Sequence, residues 1–302
     1  PRRPLQVAFF TDEEGSRFAP DMLGSLVHVG GLSIEEALDI VAADDGARLG
    51  DELTRIGYAG PAPCPTNRPP QAFVELHIEQ GPILEDEGVT IGVVTGVQGI
   101  SWTEVVVVGQ SAHAGTTPMR LRHDPAYCAG AIVTFVRDLT RRLGTEQVGT
   151  VGRVELYPNL VNVVPSRAVM TVDLRNTDER VLQDAEGRLA AFLDELAASE
   201  GVEITTRSLS RFEPVSFDPE MIDRVESAAG RLGYSTRRMA SGAGHDAQML
   251  ARVCPTAMVF TPSVNGLSHN IAEFTEAVDI EAGANVLLQV LLDLLDDEDV
   301  ES

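Results

Sequence analysis

Gly99-Ile100-Ser101-Trp102-Thr103-Glu104-Val105-Val106-Val107-Val108 is the stretch on which the fold turns. Residues 102–108 are rich in β-branched side chains and predict a strand. Working outward from it, Pro125–Leu143 carries helical periodicity, Val148–Tyr157 and residues 168–174 read as strands, and residues 179–199 as a second amphipathic helix. Residues 202–207 close the run with another strand. The order β-α-β-β-α-β is that of a ferredoxin-like sandwich, predicted over residues 99–211.

On either side of this module the pattern is α/β. Residues 5–11 read as a buried strand ending at Asp12-Glu13-Glu14-Gly15. Ser33 is a helix N-cap, with Glu35 and Glu36 in the first turn. A proline-rich loop covers residues 61–70. In residues 73–78 Phe73, Glu75 and His77 alternate with Val74, Leu76 and Ile78, as on the two faces of a strand. Beyond residue 212 come a helix over 219–232, a helix over 246–252, a strand over 256–260 and a helix over 280–295. The expected architecture is a discontinuous α/β domain, residues 1–98 and 212–302, with the α+β module inserted at 99–211. The acidic tail 296–301 is expected to be frayed and solvated.

Composition removes several function classes. The 302 residues carry a formal net charge of -23 and contain no lysine. Nucleic-acid binding requires clustered basic side chains, and none stand out. A pyridoxal Schiff base and a Walker-type P-loop both need lysine. No Gly-x-Ser-x-Gly nucleophile elbow is present. Cys64, Cys128 and Cys254 are odd in number and far apart, which predicts free thiols in a reducing, cytoplasmic setting rather than a disulfide framework. The longest apolar run, residues 286–295, is too short to span a bilayer and contains Asp293.

Five places could carry chemistry. Glu13 and Glu14 stand where a strand runs into a loop, and the carboxyl ends of strands in open α/β sheets are where ligands bind. Neighbouring residues of an extended chain point to opposite sides, so one carboxylate can hold a metal while the other faces substrate. His77 lies at a strand end with Glu75 and Glu79 on its face, and imidazole with carboxylate suits zinc or manganese. His113 occupies a loop of small residues, His269 follows the strand over 256–260, and His245 stands in the turn Ser241-Gly242-Ala243-Gly244-His245-Asp246. For His245, capping the helix is as good a reading as a functional one. His28 and His123 are assigned to packing or surface roles.

Together these strings resemble a family. Thr-Asp-Glu13-Glu14-Gly-Ser-Arg-Phe, Glu-Leu-His77-Ile-Glu-Gln80-Gly-Pro, Gly-Gln-Ser-Ala-His113-Ala-Gly-Thr-Thr-Pro-Met, Pro-Asn-Leu-Val-Asn162-Val-Val-Pro, Asp-Leu-Arg175-Asn-Thr-Asp, Ser-Gly-Ala-Gly244-His245-Asp-Ala-Gln and Gly-Leu-Ser-His269-Asn are similar to the hydantoinase/carbamoylase branch of peptidase family M20. They run in the family's order. The resemblance implies a homodimeric amidohydrolase with two divalent ions, zinc or manganese, and a small ureido or carbamoyl substrate. By it, Glu14 and His269 hold one metal, His77 holds the other, and Glu13 is the general base. It makes Arg175 a carboxylate clamp, and His113 and Asn162 donors to the carbonyl oxygen, with His113 reaching the other subunit's site. Gln80, Gly244 and His245 contact the ureido group. The inserted module corresponds to the family's lid and dimerisation domain.

In one respect the chain departs from that pattern. The family's remaining ligands, a His-x-Asp histidine and a bridging aspartate, precede the Glu-Glu motif, and residues 1–12 offer no His and only Asp12. The expectation is a chain that starts in mid-domain, with three of five ligands. The expected reaction is hydrolysis of an N-carbamoyl-L-amino acid to amino acid, ammonia and carbon dioxide. Allantoate amidohydrolysis is the near alternative, and an inactive dimerising or ligand-binding remnant is the alternative of another class.

Overall fold

The structure is a computed structural model and describes residues 2–42, 44–65, 69–144 and 147–296. Residues 297–301 of the acidic tail lie outside it. Two compact units are present, Pro1–Val97 with Ser216–Ser302, and Gln98–Val215.

The first unit is built on a mixed sheet in the order Phe73–Ile78, Thr256–Thr261, Ile91–Val97, Thr236–Ser241. The outer pairs are parallel and the central pair antiparallel. Thr256–Thr261 is buried along its whole length, as a central strand covered on both faces must be. Helices Pro219–Arg231 and Ala277–Asp296 pack on each other and on this strand. Pro219–Arg231 starts where Asp218 Oδ1 accepts the Met221 N–H at 3.0 Å, with Pro219 in the first turn, and it buries Met221, Ile222, Val225, Ala228 and Ala229 at helical spacing. Ala277–Asp296 approaches the sheet closely at Gly283, where a Cβ would lie 2.5 Å from Thr261 Cγ2 and 2.6 Å from Leu76 Cδ1. Ser33 caps helix Ile34–Leu38 in a full capping box with Glu36.

Residues 5–11 do not form the buried strand expected of them. They run as extended coil, with Phe9 91% and Val7 73% exposed. An apolar run becomes a strand only when a neighbour completes its hydrogen-bond ladder, and among the described residues no strand pairs with it. Conversely, strands Ile91–Val97 and Thr236–Ser241 were not expected. The first contains Gly92, where a Cβ would fall 2.8 Å from Phe260 Cβ. The second is an edge strand whose Arg237 and Arg238 pair with Glu87, and with Asp223 and Glu226, a polar pattern that hides a strand from periodicity.

In the second unit four antiparallel strands lie in the order Val148–Tyr157, Arg167–Asn176, Gly99–Val108, Glu203–Phe212. This is the strand order of a split β-α-β-β-α-β sandwich. Helices Pro125–Leu143 and Glu179–Glu200 cover the sheet, and Cys128, Ile132, Val136 and Leu139 of one meet Leu182, Leu189, Leu193 and Leu196 of the other over Val105, Val107, Met170 and Leu174. Phe135 and Phe192 stack between the helices with centroids 4.0 Å apart. His123 has a packing role, its Nδ1 bonding the Glu200 carbonyl at 3.0 Å at the end of helix Glu179–Glu200. Among the described residues no helix is long and apolar enough to cross a membrane, and all three cysteines are free.

Candidate active site

The site of the first unit is organised by the end of strand Phe73–Ile78, in register with Thr256–Thr261 so that His77 lies beside Phe260. His77 Nδ1 is 2.8 Å from the Ile78 carbonyl. A carbonyl can only accept, so Nδ1 carries the proton and Nε2 is left with its lone pair, the arrangement of a metal-ligating histidine. Glu79 shares the face of His77 by period two but is committed elsewhere. Its two oxygens accept the N–H groups of Ile83 and Leu84 at 2.8 Å each and so start helix Ile83–Glu87. Gln80 takes a left-handed conformation, φ 57°. Its N–H donates to Ser263 Oγ and its Nε2 to Ser268 Oγ, both at 3.0 Å.

Facing this strand end is His269, also left-handed at φ 54°, its N–H held by Glu273 Oε2 at 2.9 Å. His269 Nε2 lies 3.7 Å from Glu14 Oε2. Glu14, His77, Gln80, His269 and Glu273, with Leu76, Ile78 and Ile280, line one pocket of about 340 Å³. Four of the residues singled out in the sequence are thus brought together.

Glu13 does not line that pocket. Burial, then the charges of Asp246, Glu14 and Asp21, push its carboxyl up to about 7, a range suited to taking and returning a proton near neutrality. Glu75 is pushed up to about 8, chiefly by burial. His245 is 1% exposed, and burial, with His77 beside it, lowers its imidazole to about 3. A neutral ring makes the 3.9 Å approach of His245 Nδ1 to Glu75 Oε1 a polar contact and not an ion pair. His245 therefore stands inside the fold, and Gly244 before it packs near the Met22 methyl, 3.0 Å from where a Cβ would be.

The remaining candidates belong to the second unit. His113 is exposed, and its Nδ1 accepts the N–H groups of Gly115 and Thr116 at 3.0 and 3.2 Å, which leaves the proton on Nε2 for donation outward. Ribbon Ala112–His113 with Val163–Val164 sets His113 beside Val163, next to Asn162, whose carbonyl accepts from Ala114 N–H at 3.0 Å. Arg122 ties this loop down through Ala114 O at 2.6 Å and Thr117 O at 3.0 Å, a bracing role that nothing in the sequence signals. Arg175 holds Asp173 with Nε at 3.1 Å and Nη2 at 2.9 Å and stacks over Trp102 at 5.8 Å.

The donor chemistry divides accordingly. Glu14, His77 and His269 are carboxylate and imidazole groups of the kind divalent ions take, yet only Glu14 and His269 stand as a close pair. Among the described residues no three His, Cys, Asp or Glu side chains are grouped to hold a metal ion. The donors present do not fit a dinuclear centre. Arg175 is a donor only, and His113 Nε2 and the Asn162 amide can donate as well, so these groups suit oxyanions and carboxylates.

Comparison with known proteins gives a consistent answer. Residues 1–293 match the family described as Peptidase family M20/M25/M40. An N-carbamoyl-L-amino-acid amidohydrolase of Rhizobium meliloti is 40% identical over 292 residues, 97% of this chain and 70% of that protein. The allantoate amidohydrolase of Escherichia coli (strain K12) is 38% identical over 299 residues, 97% of this chain and 72% of that protein. A crystal structure of a hydantoinase/carbamoylase family amidase from Burkholderia multivorans matches with a TM-score of 0.93 at 46% identity, covering 95% of this chain and 70% of the other.

Proposed function

The chain belongs to peptidase family M20/M25/M40, and on that premise we propose that it serves hydrolysis of the carbamoyl C–N bond of N-carbamoyl-L-amino acids, giving amino acid, ammonia and carbon dioxide. The observation that carries this reading is the pocket joining Glu14, His77, Gln80 and His269 at one strand end. By the family resemblance Glu14 and His269 would hold one divalent ion, zinc or manganese, and His77 another, and such an ion would supply an acidified water, although the donors present fall short of that dinuclear set.

The roles of the chain's own residues follow from their chemistry. Glu13 takes a proton from the attacking water as its oxygen bonds the ureido carbon, and returns it to the nitrogen as the C–N bond breaks. Gln80 and Gly244 serve the ureido group, whereas His245, expected beside them, is buried behind that turn. In the second unit, read as a lid and dimerisation domain of a homodimer, Arg175 recognises a carboxylate and His113 and Asn162 donate to a carbonyl oxygen. The free cysteines support a reducing, cytoplasmic setting.

Allantoate is the second substrate to weigh, because the E. coli allantoate amidohydrolase is nearly as similar as the carbamoylase. The deciding experiment measures ammonia release from N-carbamoyl-L-amino acids and from allantoate, with added zinc or manganese, alongside bound metal per chain. Release from the first class alone upholds the proposal, and release from allantoate alone replaces it. Neither metal nor turnover would favour the ligand-binding remnant.

A further inference from the structure

Glu75 lies outside the pocket and has no part in the roles given above, yet it stands two residues before His77 on the same strand face. Its Oε2 accepts the Ala247 N–H at 2.8 Å, 172 positions along the chain. Helix Asp246–Leu250 begins there with His245 at the N-cap and no side-chain cap of its own. The first N–H groups of a helix need acceptors from elsewhere, and Glu75 supplies one across from the neighbouring strand.

The other oxygen of Glu75 faces His245. Ser241 Oγ has a single proton, which it donates to the Ala243 carbonyl at 3.0 Å while accepting the Ala243 N–H at 3.1 Å. His245 Nε2 shares a hydrogen bond with the same oxygen at 2.7 Å. Its Nδ1 is buried with no hydrogen-bond partner among the described residues, 3.9 Å from Glu75 Oε1. The His245 ring meets His77 edge to face, with centroids 4.6 Å apart and planes at 61°, and Phe260 stands 5.7 Å away on another side.

We infer that Glu75 is a positioning residue, tying turn 241–246 to strand Phe73–Ile78 and, through the buried His245 ring, setting the plane of the His77 imidazole. Its relevance to turnover rests on the reading of His77 as a functional donor. Its physical content does not.

The test uses the full chain with Glu75→Ala, Glu75→Gln and Glu75→Asp, reading hydrogen exchange at the Ala247 amide and the imidazole nitrogen signals of His77 and His245 at fixed pH. Glu75→Ala should speed Ala247 exchange by about tenfold, the effect of losing one hydrogen bond. Strand Thr256–Thr261 should stay protected, and both imidazole signals should move. Glu75→Gln keeps an acceptor for Ala247 and, like the protonated carboxyl, a donor on the side facing His245, and should restore the wild-type readings. Should Glu75→Ala fail to fold, Glu75→Asp decides, since its carboxylate is withdrawn by one carbon and Ala247 should lose protection. Unchanged exchange and unchanged signals in the shortened variants, or a Gln variant no better than Ala, would overturn the inference. Neither readout uses turnover, so a wild-type chain that hydrolyses no N-carbamoyl-L-amino acid sinks the functional reading alone.

Discussion

Glu14 and His269 are 255 positions apart in sequence, and Oε2 of one lies 3.7 Å from Nε2 of the other. Both side chains are largely exposed, so no burial forces them together. The left-handed backbone at His269 and its N–H bond to Glu273 aim the ring at the Glu14 loop. If the pair holds a metal ion as proposed, removing either side chain should lower zinc or manganese affinity by about tenfold or more. Calorimetric titration of Glu14→Ala and His269→Ala checks this, and unaltered affinity in both would remove the pair from metal binding.

For Glu13, proton transfer predicts a loss of rate with binding retained. Glu13→Gln should slow hydrolysis by about a hundredfold to ten-thousandfold while bound metal per chain stays as in the wild type. A variant that turns over at the wild-type rate would need a different base.

Arg175 grips Asp173 by two nitrogens of one planar group, a geometry that lysine cannot copy. Arg175→Lys should weaken the binding of carboxylated substrates by about tenfold, read as a rise in KM. Equal affinity for a substrate and its amide in the wild type would argue against any carboxylate recognition there.

Acid stability has one well-defined local contributor. Hydrogen bonds from Arg55 and then Arg17 hold the Glu52 carboxyl down at about 2, below its usual range. A carboxylate depressed by folding stabilises the fold at neutral pH and stops doing so as pH falls from the usual glutamate range through about 2. The difference in melting temperature between wild type and Glu52→Gln should therefore be greatest near neutrality and shrink toward pH 2. A gap that widens on acidification would contradict the pairing.

In the second unit Ile132 is fully buried between the two helices and the sheet. Ile132→Ala should cost about 2–5 kcal/mol, seen as an earlier urea transition of that unit.

How much of this was legible beforehand depended on whether the signal was local. The helices of the sandwich announced themselves because Ile132, Val136 and Leu139 repeat at the helical period, and Asp124 and Pro125 mark a start. His77 was legible because alternation over residues 73–78 fixes where the strand ends, and Gln80 only through the family resemblance. Glu79 was not, since its commitment to Ile83 and Leu84 appears only once the chain has turned back. Residues 5–11 have a strand's composition without a strand's partner, and composition cannot supply one. Alternation links Glu75 to His77 but not to Ala247 or His245, and Ser241 and Arg122 act on residues that no periodicity links to them.

Gly283 does not itself line the pocket, yet its missing side chain lets its helix lie against Leu76 and Thr261, which do, Leu76 being the residue next to His77. A mutagenesis library confined to pocket-lining positions would leave out this site. Gly283→Ala would press the helix away from the strand and shift the wall beside His77, so a position that faces no substrate offers a route to altered selectivity without changing the identity of any pocket-lining side chain.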